Sequence, residues 1–185
     1  GIRPQPRSRG LGDVYKIQAF GPTIDWATSD GSDRYRRAMY TVWRRSNPYP
    51  SMATFDAPDR QVCTVRRSRT NTPLQALVTM NDPVYVEAAQ SLARRIYTEA
   101  DTDAGRIRQG VRHCLSRDPS ETEIDSLLML YQQAYERLAE TPDSALQLAT
   151  VPLGDLDEGE DAIVMAAWTV VGNVLLNLDE VFLKR

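Results

Sequence analysis

With 185 residues, 42% hydrophobic and 25% charged, the chain has the length and composition of one compact domain, or a domain plus an arm, and needs no disulfide or metal staple to hold a core. A formal net charge of -3 gives no bulk reason to expect nucleic acid as a partner. Two cysteines, Cys63 and Cys114, could form one disulfide but are no disulfide framework, and neither a C-x-x-C-H haem attachment nor zinc-type Cys/His spacing is present.

Residues 1–32 are rich in Pro, Gly and Arg, with 14–17 as the one strand-like segment. This reads as an extended arm that leans on the core through Tyr15, Ile17, Phe20 and Trp26. Residues 33–185 then read as a single, mainly helical domain: a bundle of about five helices with a small β element. The β element falls over residues 36–45, where period-two alternation and the Tyr, Thr, Val and Trp content lean toward a strand, pairing with 14–19 or 61–65, while helical spacing would instead gather Tyr35, Met39, Val42 and Trp43.

The helices begin at Thr72-Pro73, an N-cap followed by Pro at the first helical position, with Leu74, Leu77 and Val78 on one face. Asn81-Asp82-Pro83 ends that helix and opens the next, which runs to Tyr97 with Val84, Ala88, Leu92 and Ile96 on a face beside Tyr85. A third spans 103–116 with Ile107, Val111, Cys114 and Leu115 inward. Ser120 and Glu123 form a capping box that starts a fourth, striped by Ile124, Leu127, Leu128, Tyr131, Tyr135 and Leu138. Residues 140–159 read as an acidic loop with a helical turn near 145–149. The last helix, about 160–178, is apolar almost all round; Thr169, Gly172, Asn173 and Asn177 interrupt it, so it reads as the centre of the bundle rather than a membrane span.

Charge is divided along the chain. Residues 34–69 hold nine arginines against Asp56 and Asp59, while residues 99–161 hold fifteen acids against five arginines. Either the two halves complement each other or one presents a basic face. Only Lys16 and Lys184 accompany the arginines, a bias that a GC-rich genome explains, although guanidinium also suits bidentate binding of carboxylate, phosphate or sulfate.

The densest motif, residues 51–83, reads SMATFDAPDRQVCTVRRSRTNTPLQALVTMNDP. Arg60, Arg66, Arg67, Arg69 and Asn71 are the candidate anion-binding residues there, with backbone N–H groups at the 72–73 helix start as further donors. The plainer alternative is that Arg and Asp pair with each other while Asn71 and Thr72 satisfy the turn and cap. No catalytic residue and no metal ligand is assigned. His113 reads as a surface or half-buried residue rather than a general base, and Cys63 as a buried structural cysteine. Residues 155–161 are acidic but lack the spacing of a calcium loop. Trp26, Trp43 and Trp168 could stack on sugars, and core packing is the simpler role for Trp168.

Five segments carry a family resemblance: RRAMYTVWRR at 36–45, PSMATFDAPDR at 50–60, CTVRRSRTNTPLQAL at 63–77, NDP at 81–83 and EAA at 87–89, with AAWTVVGNVLLNLDE at 166–180 closing the chain. Together they resemble the planctomycete-type domain of unknown function 1553, over essentially residue 33 to the end. The resemblance implies the C-terminal domain of a large exported protein, periplasmic or at the cell surface, often with a cytochrome-c-like domain upstream. It implies no cofactor for these residues, supplies no catalytic residue, and leaves the upstream domains of the same polypeptide as the expected partner. The chain opens Gly1-Ile2-Arg3-Pro4 without Met, as an excised piece would, so a missing export signal says nothing about location. Two functions follow as expectations: a noncatalytic docking module, or an Arg-rich site for an anionic polysaccharide within a larger enzyme.

Overall fold

A computed structural model describes residues 9–10, 13–14, 27–28, 35, 37–40, 50–58, 63–66 and 70–182. The contact sites expected for the arm, Tyr15, Ile17, Phe20 and Trp26, lie outside them. The architecture is mainly helical, with eight α-helices among the described residues. The chain divides into two compact units, Gly1–Gln75 and Ala76–Arg185.

Among the described residues of the first unit, strand pairing involves three two-residue segments, β1 (Arg9–Gly10), β2 (Asp13–Val14) and β3 (Ala27–Thr28), antiparallel in the order β1-β2-β3. Arg9 faces Val14, and Val14 faces Ala27. Of the strand expected over 36–45, only residues 37–40 are among the described residues, and no strand is seen there. Ala38–Tyr40 form a 3-10 turn instead, closed by the Tyr40 N–H donating to the Arg37 carbonyl at 2.9 Å. Tyr35, Met39 and Tyr40 are all exposed, and exposed side chains gain little of the half-buried packing that favours a strand. Helix α1 (Pro50–Thr54) follows, and at its end Asp56 adopts a left-handed φ of 56°. The Ala57 N–H then reaches back to the Met52 carbonyl, the bond that defines a Schellman stop.

Helix α2 (Pro73–Asn81) begins where the cap predicted, but the face it buries is not the expected one. Leu74 and Leu77 are 57% and 58% exposed, whereas Gln75 and Thr79 are 4% and 2% exposed. The polar side is inward because its groups have partners there. Thr79 Oγ1, for example, donates to Asn177 Oδ1 at 2.8 Å.

The rest of the second unit is a bundle of α3 (Pro83–Glu99), α4 (Asp103–Leu115), α5 (Glu121–Ala139), α6 (Pro142–Thr150) and α7 (Ala162–Leu176), closed by the short α8 (Asp179–Phe182). Each start has its chemical reason. Asp82 sits in the extended conformation that a following proline favours, and its Oδ1 accepts from the Val84 N–H. Thr102 caps α4, Ser120 and Glu123 make the reciprocal capping box of α5, and Asp161 accepts from Ile163 and Val164 at the head of α7. The 140–159 segment is more ordered than expected, since α6 occupies nine residues with Ala145 and Ala149 fully buried.

Helix α7 is the hub and packs on α3, α4, α5 and α6. Met165, Ala166, Ala167, Trp168, Val171 and Leu175 are buried, and each of the larger ones stabilises the fold by roughly 1.5–3 kcal/mol relative to exposure. On α3 the buried seam is Ala89, Ala93 and Ile96; Ala88, expected inward, is exposed. No helix among the described residues is long and apolar enough to cross a membrane.

Candidate functional site

Within the motif the structure joins the segment after α1 to the start of α2 by hydrogen bonds. Asp56 Oδ2 accepts from both the Thr70 N–H and the Thr70 hydroxyl, each at 2.8 Å. Gln75 Nε2 donates to the Thr54 carbonyl at 2.8 Å and to Thr70 Oγ1 at 3.2 Å. Gln75 Oε1 accepts from the Thr72 N–H at 3.0 Å, and Thr72 Oγ1 accepts from the Gln75 N–H at 3.3 Å. The last two contacts are a capping box built on Thr72 and Gln75, and the T-x-x-Q spacing was the signal for it. Gln75 is therefore engaged on both ends of its amide, and the Thr70 hydroxyl both donates and accepts.

Of the candidate anion-binding residues, Arg66 and Asn71 are exposed, and Arg60, Arg67 and Arg69 lie outside the described residues, as do Asp59, Trp26 and Trp43. Both cysteines are free thiols, Cys63 exposed and Cys114 half-buried, and burial pushes the Cys114 thiol pKa up, away from thiolate reactivity.

Several other charged groups in the second unit are engaged in structural contacts. His113 Nε2 meets Glu99 Oε2, and Arg95 Nε donates to Glu99 Oε1 at 2.8 Å. Hydrogen bonds from Arg95 first, then His113, hold the Glu99 carboxyl below its usual range. In the acidic stretch 155–161, Asp161 caps α7 and Glu160 Oε2 accepts from the Asp157 N–H. Among the described residues no group of His, Cys, Asp and Glu is arranged to hold a metal ion.

Two arrangements had no recognised signature in the sequence. The Arg106 guanidinium lies 4.1 Å from the Tyr97 ring centroid and 5.7 Å from that of Trp168, which itself stacks on Tyr131 at 4.5 Å. Arg106 is fixed there by Asp103 and the Ala100 carbonyl, so a cation of the protein already covers these rings and Trp168, fully buried, offers no surface to a sugar. Separately, buried Gln90 Nε2 donates to the carbonyls of Leu148 and Val151, while its Oε1 accepts from the Leu153 N–H. One turn on, Arg94 donates to the Gly154 carbonyl at 2.6 Å. Cation and amide together satisfy the carboxyl end of α6 and the loop behind it.

The described residues are mainly α-helical, and within the first unit the segment after α1 is bonded to the residues that open α2. Residues 5–131 match the family described as PSD1, Protein of unknown function (DUF1553), and the chain belongs to that family. The matched span opens at residue 5 and ends in α5, so the likeness noted at 166–180 lies beyond it. No curated protein and no solved structure matches the chain.

Proposed function

We propose that this chain is a noncatalytic interaction or structural module of a larger exported protein, and that its partners are the upstream domains of the same polypeptide. The observation that carries this reading is the lock between Asp56, Thr70, Thr72 and Gln75, in which these four residues direct their polar groups at one another. A satisfied network of this kind fixes segments together and leaves little directional capacity for a substrate. The outward leucines of α2 support the same reading, because apolar side chains on successive helical turns suit docking better than catalysis.

A protease site inserted ahead of Gly1 in the full-length polypeptide tests it. The expected result is that the cleaved pieces still co-elute on gel filtration, and that Leu77→Asp separates them without loss of helical content. Pieces that part at micromolar concentration, with no change in the melting temperature of the upstream part, would refute it. The same reading puts the full-length protein in the periplasm or at the cell surface. Its recovery in the cytoplasmic fraction of source cells would count against that.

A second reading rests on the exposure of Arg66 and Asn71 within the motif. With Arg60, Arg67 and Arg69 they would form an anion-binding site for a sulfated or other anionic polysaccharide, in an enzyme completed by upstream domains. Saturable thermal stabilisation by sulfate, phosphate or a sulfated oligosaccharide, lost in a folded Arg66→Ala protein, would establish it. A flat screen on cooperatively folded full-length protein would remove it.

A further inference from the structure

We draw no further inference here: the strongest candidate, the apolar groove of about 230 Å³ lined by Met80, Leu148, Thr169, Val170, Asn173 and Val174 where α2, α6 and α7 meet, carries none because nothing in the structure shows what covers it.

Discussion

The carbonyl oxygen of Ala89 in α3 lies 2.9 Å from where a Cβ on Gly172 of α7 would stand, so these two buried residues set how closely the two helices approach. A backbone oxygen cannot swing aside as a side-chain tip can. Gly172→Ala is expected to destabilise the second unit by about 1–3 kcal/mol through overpacking, with the helix-propensity gain of about 1 kcal/mol for Ala over Gly only partly offsetting it. Gly110 provides the control. A Cβ there would meet Leu175 Cδ1 at 2.7 Å, the end of a side chain that can rotate, and Gly110→Ala should cost less. Urea denaturation of both variants ranks them, and the reverse order would show that the α3–α7 seam yields more readily than the geometry implies.

Asp56 presents a balance between strain and contact. Its left-handed backbone favours Gly, yet its carboxylate accepts twice from Thr70. Asp56→Asn, which tolerates the same φ and retains an acceptor oxygen, should cost under about 1 kcal/mol. Asp56→Ala, which loses both bonds and keeps the strain, should cost roughly 2–3 kcal/mol. Asp56→Gly separates the two contributions, since it relieves the backbone and still removes the tie. Amide exchange at Thr70 is the direct readout; equal protection in the native protein and Asp56→Gly would mean the carboxylate does not hold this segment.

Much of the second unit was legible because caps and apolar spacing are local. The Asp82-Pro83 and Ser120/Glu123 starts are read from adjacent residues, and the nearly all-round apolarity of α7 announces a central helix. What was misread depends on distant partners. Leu74 and Leu77 suggested the buried face of α2, but the inward face is decided by what Gln75 and Thr79 bond to, 21 residues back at Thr54 and 98 ahead at Asn177. Helix α6 was underestimated because its buried contacts are the alanines Ala145 and Ala149, whose small side chains barely raise an apolar stripe above the acidic stretch around them. The candidate site was legible as residue types only. That Asp56 would meet Thr70 follows from the left-handed turn at Asp56, which no cue such as Gly marked.

Gln90 is the residue on which α6 and its following loop most visibly depend. Gln90→Leu keeps most of the volume but removes the donor to Leu148 and Val151 and the acceptor of Leu153. Leaving such groups unsatisfied should cost roughly 2–4 kcal/mol. Arg94→Ala, at a half-buried site whose shorter bond goes to the carbonyl of exposed Gly154, should cost less. Hydrogen exchange would show the Leu153 amide accelerated in Gln90→Leu before the amides of α3 change. Unaltered exchange at Leu153 would mean the loop is held by other contacts.

Glu123 makes the stability of the second unit depend on acid. Two hydrogen bonds from Arg117, joined by those from the Ser120 N–H and hydroxyl, bring its carboxyl from an ordinary 4.5 down to about 2. Arg117 also grips both oxygens of Glu180, so one guanidinium ties α5 to α8. Because the folded-state pKa is the lower one, the unfolded chain takes up the proton first as acid is added. The contribution is complete above about pH 4.5 and is lost as the pH falls toward about 2. Glu99, also held low, adds in the same direction. Glu123→Gln retains an oxygen for the capping box while deleting the charge, so native protein and variant should differ in melting temperature at neutral pH and converge as pH drops through this window. The pair is partly exposed, and molar salt should shrink the neutral-pH difference. A difference that stayed constant from pH 7 to the acid limit would show that the cap, not the charge pair with Arg117, is what Glu123 supplies.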